Sequence, residues 1–186
     1  DEMIVLADKD DRSEQHTKNV VVTHLQRVQG WGIFSVKGTP LKELAVAGQV
    51  TVLDMSPYAT LPGGWLIKSL VIGLVGKKLF TERMLARKNE EFASIDTAMH
   101  YFSKEGSEKL EDPLVWLIVD EAHEMLPKDA KTSATDALVT IMREGRQPGI
   151  SLILASQQPG KIHTDVMTQS DIVLSHRLTA AIDVDA

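Results

Sequence analysis

Leu117-Ile118-Val119-Asp120-Glu121-Ala122-His123 is the stretch on which the fold turns. With Val115 and Trp116 it makes one continuous apolar, β-rich run, introduced by Asp112-Pro113 and ended abruptly by two carboxylates. An unbroken run of this kind suits a central strand covered on both faces. In parallel α/β sheets, ligands sit outside the carboxyl ends of the strands, so Asp120 and Glu121 stand where a ligand would be met. Asp120 suits Mg²⁺ held through water, because a hard cation takes oxygen ligands. Glu121 suits a group that orients and polarises a water for in-line attack on a γ-phosphate. The plainer alternative is that the pair only caps the turn into the next helix. The combination of strand, Asp-Glu and Ala-His favours the first reading, that of a Walker B element. His123 either couples the site to a neighbouring element or packs as an ordinary histidine. His16, His24, His100, His163 and His176 show no metal-ligand spacing, so no zinc site is expected.

Outward from this strand, apolar runs alternate with helix-like segments, the pattern of βαβ units and a mostly parallel sheet. Ile150 to Ala155 reads as a second strand, Val50 to Asp54 as a third and Asp171 to Leu174 as a fourth, with shorter ones at Met3–Leu6 and Gly32–Val36. From Leu66, apolar residues recur at Leu70, Val71, Leu74, Val75, Leu79, Met84 and Leu85, which is helical spacing with one buried face. Lys77, Lys78, Arg83, Arg87 and Lys88 are expected on its exposed side, interleaved with Glu82, Glu90 and Glu91 as a solvated mixed-charge face. A second helix opens at Ser133 with Asp136 as a box-like start. It buries Ala134, Ala137, Leu138, Ile141 and Met142, and ends at Gly145 with Pro148 beyond. Residues 8–19 and 103–112 read as polar, turn-like stretches. No repeat, low-complexity tract or internal boundary is visible.

The second strand leads into Ser156-Gln157-Gln158-Pro159. A glutamine leaving a strand beside the acidic one can reach a γ-phosphate and hydrogen-bond the water; otherwise it is a turn residue before Pro159. Arg143 and Arg146 lie where the second helix ends. Either they simply complement the negative helix terminus, or one acts as an arginine finger in a neighbouring subunit's site. A guanidinium suits that role because it stays charged and forks onto phosphate oxygens.

Composition sets the bounds. The chain has 186 residues with 43% hydrophobic content and a formal net charge of −6; its mean hydropathy is −0.08. One globular domain of this size buries a real core. An acidic chain does not coat nucleic acid with its whole surface, so any such contact must come from a local patch or an assembled pore. The absence of cysteine excludes disulfides, iron–sulfur clusters and thiolate zinc sites, and fits a reducing compartment. No apolar stretch is long enough to span a bilayer, and a cytoplasmic protein without membrane partners is expected. Asp1-Glu2-Met3-Ile4 and Asp183-Val184-Asp185-Ala186 read as the inside of a longer chain.

In their order, the acidic strand, Arg143-Glu144-Gly145-Arg146, Leu152-Ile153-Leu154-Ala155-Ser156-Gln157-Gln158-Pro159 and Arg177-Leu178-Thr179 resemble the HerA/FtsK superfamily, most closely its HerA-like helicases and translocases. Leu44 to Ser56 is similar to the strand that precedes the long helix of that family, so the resemblance covers roughly residues 40–183. It implies a three-layer α/β, RecA-like P-loop NTPase core, present here as a partial domain over residues 1–186 running from Walker B to the sensor region. It also implies ATP and Mg²⁺ as cofactors, a homo-hexameric ring, movement on double-stranded DNA and a NurA-type nuclease partner. Carried over, Asp120 and Glu121 match the Walker B pair, Gln157 the sensor glutamine, Arg146 the trans-acting arginine and Arg177 a recurrent arginine at the nucleotide.

Two departures stand out. Gln158 takes the place of the arginine in the family's usual Gln-Arg-Pro. No Gly-x-x-x-x-Gly-Lys-Ser/Thr occurs anywhere. Gly63-Gly64-Trp65-Leu66-Ile67-Lys68-Ser69 imitates one, but Ile67 replaces the glycine that lets backbone fold round phosphate. The phosphate loop is therefore expected upstream, and the chain alone is expected to be inactive. Three alternatives stay open: a DEAH-box superfamily-two helicase, a degenerate ATPase-fold assembly module, and a conjugation or packaging ATPase.

Overall fold

A computed structural model of the chain describes residues 2–10, 13–99 and 112–178. They form two compact units, one ending at Pro40 and one beginning at Leu41, a division that no shift in composition announces. The first holds α1 (Glu2–Asp8) and α2 (Gln15–Gln29). Met3–Leu6 is thus helical rather than a strand. Four apolar residues are too few for periodicity to separate the two, and among the described residues no strand pairs with them. Part of the polar stretch 8–19 is also helical, with Gln15 Nε2 donating to Asn19 Oδ1 one turn on. Gly32–Val36 is irregular, and Gly32 has a φ of 69°.

The second unit runs through α3 (Leu41–Leu44), a 3-10 turn at Ser56–Tyr58, α4 (Gly64–Met99), β1 (Val115–Val119) and α5 (Ala122–Met125). It continues through α6 (Thr135–Glu144), β2 (Ile150–Leu154), a 3-10 turn at Pro159–Lys161 and α7 (Thr164–Gln169). The α/β class and the parallel sheet are as expected: β1 and β2 pair in parallel, from Val115 with Ile150 to Val119 with Leu154. Two other expected strands are not formed. Val50–Asp54 is exposed, and Asp54 starts a turn, its Oδ1 accepting from Ser56 N (2.9 Å) and Ser56 Oγ (2.6 Å). These hydrogen bonds, the hydroxyl first and the amide second, hold the Asp54 carboxyl below its ordinary range. Asp171–Leu174 is likewise irregular and exposed. A β pattern states only what could pair; the ladder needs a neighbour.

The core lies on one face of the sheet. Val115, Leu117 and Val119 with Ile150, Leu152 and Leu154 meet α6 through Leu138 and Ile141, and α4 through Leu79 and Phe80. On the other face Trp116 and Ile118 are 68% and 65% exposed, so among the described residues β1 is covered on one side, not two. An unbroken apolar run does not say which face is packed. The stripe of α6 is as read from the sequence, but its start is not. Ser133 and Asp136 make no capping box. Instead Thr132 Oγ1 accepts from Ala134 N, and the Thr132 and Thr135 hydroxyls both donate to the Met125 carbonyl.

The buried face of α4 also differs from the expected one. It comprises Ile67, Ser69, Gly73, Gly76, Leu79, Arg83 and Ala86, while Leu74 and Leu85 are exposed. Small residues allow close helix approach: a Cβ on Gly73 would lie 2.3 Å from the Ser133 carbonyl oxygen. Arg83, expected in solvent, is 3% exposed. Apart from Asp112, the polar stretch 103–112 lies outside the described residues, as do His100 and Thr179.

Candidate functional site

Because β1 and β2 are parallel and in register, both chains leave the sheet at the same rim. Val119 and Leu154 are the last pair. The ladder runs on through Ala155 N to the Val119 carbonyl (3.0 Å) and Ala122 N to the Ala155 carbonyl (2.9 Å). These bonds clamp the segment holding Asp120 and Glu121 against the exit of β2. The two expected partners meet there: Gln157 Nε2 donates to Glu121 Oε1 at 2.5 Å. A carboxylate only accepts, so the amide nitrogen must face it.

Glu121 is the one described non-glycine residue with a positive φ, at 49° with ψ of 45°. Left-handed backbone is costly for a residue with a Cβ, and such strain concentrates where side-chain aim matters. The conformation is held by Asp120 Oδ1, which accepts from Glu121 N at 2.8 Å, and by Glu124 N, which donates to the Glu121 carbonyl at 2.9 Å. Glu121 Oε2 is buried without a hydrogen-bond partner. His123 Nδ1 stands 3.5 Å from it and 3.1 Å from Ser156 Oγ. His123 is therefore both packed and coupled to the β2 exit, combining its two expected roles. Ser156, which also accepts from Gln158 N at 3.1 Å, is a contributor that the sequence reading passed over.

Asp120 is exposed. Among the described residues no group of three or more His, Asp or Glu gathers to hold a metal directly. A single rim carboxylate is what a largely hydrated Mg²⁺ would use. The Glu121 carboxylate is fixed between Gln157 on one oxygen and His123 near the other, which sets its aim at the rim.

The arginines lie elsewhere. Arg143 and Arg146 precede β2, at the rim opposite Glu121, and are not brought to the carboxylates of their own chain. Arg143 Nη2 is paired with Asp165 Oδ2 of α7 at 2.5 Å. Arg146 is exposed, in the turn between α6 and β2. Arg177 lies in the exposed irregular stretch 171–178. The Gly63-Gly64 imitation of a phosphate loop serves the entry to α4. Gly63 has a φ of 77°, and a Cβ on Gly64 would lie 1.7 Å from the Tyr58 carbonyl oxygen. Its lysine and serine are also engaged: Lys68 pairs with Glu124 at 3.4 Å, and the buried Ser69 hydroxyl donates to the Leu66 carbonyl.

The sequence profile of the zonular occludens toxin (Zot) family matches residues 71–186, more than half of the chain and all of the sites above except the α4 entry. The chain belongs to the Zot family of P-loop ATPases. This Zot-family chain is HerA-like, as the motif resemblance implied. It is 33% identical over 133 residues to "Probable DNA double-strand break repair helicase HerA" of Methanocaldococcus jannaschii, covering 67% of the chain and 25% of that protein. It is 29% identical over 146 residues to the DNA double-strand break repair helicase HerA of Pyrococcus furiosus, covering 74% of the chain and 26% of that protein. With the protein of that name from Sulfurisphaera tokodaii it shares 38% identity over 55 residues, 30% of the chain and 11% of that protein. The Zot-family chain thus spans about a quarter of the length of the first two relatives. No helix among its described residues is long and apolar enough to cross a membrane.

Proposed function

We propose that the full-length protein hydrolyses ATP and couples hydrolysis to movement along double-stranded DNA, as a HerA-type translocase or helicase. The observation that supports this best is the hydrogen bond between Gln157 and Glu121, made where two parallel strands leave the sheet together. Glu121 is held by Gln157 on one oxygen and has His123 Nδ1 3.5 Å from the other. A carboxylate at this rim polarises a water lined up for attack by accepting its hydrogen bond. Gln157, bonded to the same carboxylate, links that alignment to the β2 exit and would sense the γ-phosphate. Asp120 would hold Mg²⁺ through water; when bound, the ion neutralises charge on the phosphate oxygens. Arg177 is assigned to the nucleotide as well.

Among the described residues no arginine is hydrogen-bonded or ion-paired to Asp120 or Glu121, which favours a ring in which each subunit completes its neighbour's site. Arg143 is occupied by Asp165, so the exposed Arg146 is the better candidate for that role. The same reading expects the phosphate loop in a part of the full-length protein outside these residues. A homo-hexamer, a NurA-type nuclease partner and a cytoplasmic location belong to the same reading. With a net charge of −6, DNA would be gripped by loops lining the pore, through phosphate contacts that weaken with salt. The relatives' names, which specify DNA double-strand break repair, support DNA as the track.

Glu121→Gln in the full-length protein tests the reading. The amide keeps the size of the side chain but cannot accept the water's proton. Nucleotide affinity is expected to hold while turnover falls about 10²–10⁴-fold. Hydrolysis at the wild-type rate in that variant would remove Glu121 from the chemistry.

A further inference from the structure

Arg83 is a charge buried far from the carboxylates, and the ATPase reading has given it no work. It sits on the packed face of α4, 3% exposed. Its Nε donates to the Pro148 carbonyl at 2.8 Å. Its Nη1 donates to the Asp112 carbonyl at 2.8 Å and to Glu90 Oε1 at 3.2 Å. Its Nη2 is buried without a partner. Glu90 is shared with Arg87, 3.2 Å away, so the cluster carries its own counter-charge. Asp112 lies just before β1 and Pro148 just before β2. One guanidinium therefore ties the long helix to the entries of both strands.

Burying a cation is costly even when it is paired, and an apolar side chain of similar volume would fill the space at less cost. What an apolar side chain cannot do is donate to two carbonyls at once from a rigid planar fork. The carbonyl on Nε belongs to the turn that carries Arg146. That turn is otherwise closed by Ile150 N donating to the Gly145 carbonyl at 2.7 Å and Gly149 N to the Arg146 carbonyl at 3.3 Å. Pro148 is fully buried, and Gly149 has a φ of 78°, with space for a Cβ only 2.4 Å from Leu114 Cδ2. Gly145, Pro148 and Gly149 are held in place while Arg146 itself stands exposed.

The geometry points to Arg83 as a positioning residue that fixes the 145–149 turn so that Arg146 is presented to the neighbouring subunit's nucleotide site. This rests on the reading in which Arg146 acts in trans. A shift of about 1 Å in a reacting group costs about 10²-fold in rate, so Arg83→Met is expected to lower kcat about 10²-fold while the subunit's own nucleotide KM is kept.

The test uses mixed rings of the full-length protein. A subunit lacking Arg83 keeps its own Glu121, and a Glu121→Gln subunit keeps a positioned Arg146. Co-assembly of Arg83→Met with Glu121→Gln is therefore expected to raise turnover at least about tenfold above either homogeneous ring. Arg146→Ala with Glu121→Gln is the reference pair. If the reference pair recovers and the Arg83→Met pair does not, Arg83 supports its own subunit's fold generally and the positioning role is overturned. If the reference pair fails to recover, the trans reading of Arg146 falls, and this inference with it. Should Arg83→Met not assemble, Arg83→Lys carries the test, since it keeps charge and bulk but cannot fork between two carbonyls. It should complement in the same way, and wild-type turnover in a homogeneous Arg83→Lys ring would also overturn the proposal.

Discussion

Glu121 holds a left-handed backbone that an L-residue adopts at a cost of roughly 1–2 kcal/mol. Removing the carboxylate separates the aim of the side chain from the cost of the backbone. Glu121→Ala and Glu121→Gly lose the same contact with Gln157, yet only glycine relieves the strain. Glycine ordinarily destabilises relative to alanine through its chain entropy. Here the order is expected to reverse, with Glu121→Gly melting above Glu121→Ala by about 1 kcal/mol of stability. Thermal unfolding of the two variants measures it, and a higher midpoint for alanine would show that the positive φ is unstrained. That Glu121 and Gln157 belong together was legible in the sequence, because both follow apolar strands by short fixed offsets and parallel register does the rest. The strain was not legible, since it depends on the path from β1 into α5 and leaves no mark on residue type. Arg83 was misread for a related reason. A helical arginine among other basic residues looks solvated, and only the two carbonyls of distant segments make its burial tolerable.

At the scale of elements, α4 packs on α6 through glycines, and the two glycines differ. A Cβ on Gly73 would stand 2.3 Å from the Ser133 carbonyl oxygen, which is backbone and cannot swing aside. A Cβ on Gly76 would meet Ile141 Cδ1 at 3.5 Å and Ala137 Cβ at 3.6 Å, ordinary contact distances. Gly→Ala within a helix stabilises by up to about 1 kcal/mol, whereas overpacking costs about 1–3 kcal/mol. Gly73→Ala is therefore expected to lower the melting midpoint and Gly76→Ala to leave it unchanged or raise it. Equal shifts in both would mean that the helices separate freely. This interface shows why the stripe of α4 was hard to read. Glycine scores as neither apolar nor polar, so the close-packed line through Gly73 and Gly76 was invisible, and the larger Leu74 and Leu85 drew the stripe to the wrong side. The stripe of α6, built from Leu138 and Ile141, was legible because its contacts are made by bulk. Strands divided similarly. β1 and β2 were legible because each has the other to pair with, while Val50–Asp54 and Asp171–Leu174 have strand composition but no partner among the described residues.

For the whole molecule, the site has one half of what a nucleotide needs. The rim of the sheet offers Asp120 and Glu121, in a chain of net charge −6, and a triphosphate arriving there meets charge of its own sign. Triphosphate is ordinarily held by backbone N–H groups of a glycine-rich loop at a helix N-terminus, with a lysine beside them. The entry to α4 is the place in the sequence that most resembles such a loop, and both of its assets are committed. Gly64 is pressed against the Tyr58 carbonyl, and Lys68 is paired with Glu124. A Mg²⁺ ion held by one rim carboxylate through water, as proposed, would not make up for the missing donors. The 186-residue chain alone is accordingly expected to bind ATP with a Kd no tighter than about 1 mM, an affinity of about 4 kcal/mol, with or without Mg²⁺. Titration calorimetry on the isolated chain decides this. Micromolar binding abolished by Lys68→Ala would locate a phosphate site at α4 and require the Lys68–Glu124 pair to open for it. Weak binding here, together with tight binding by the full-length protein, would assign the phosphate grip to the part of the protein outside these residues and leave this chain the part that aims the water.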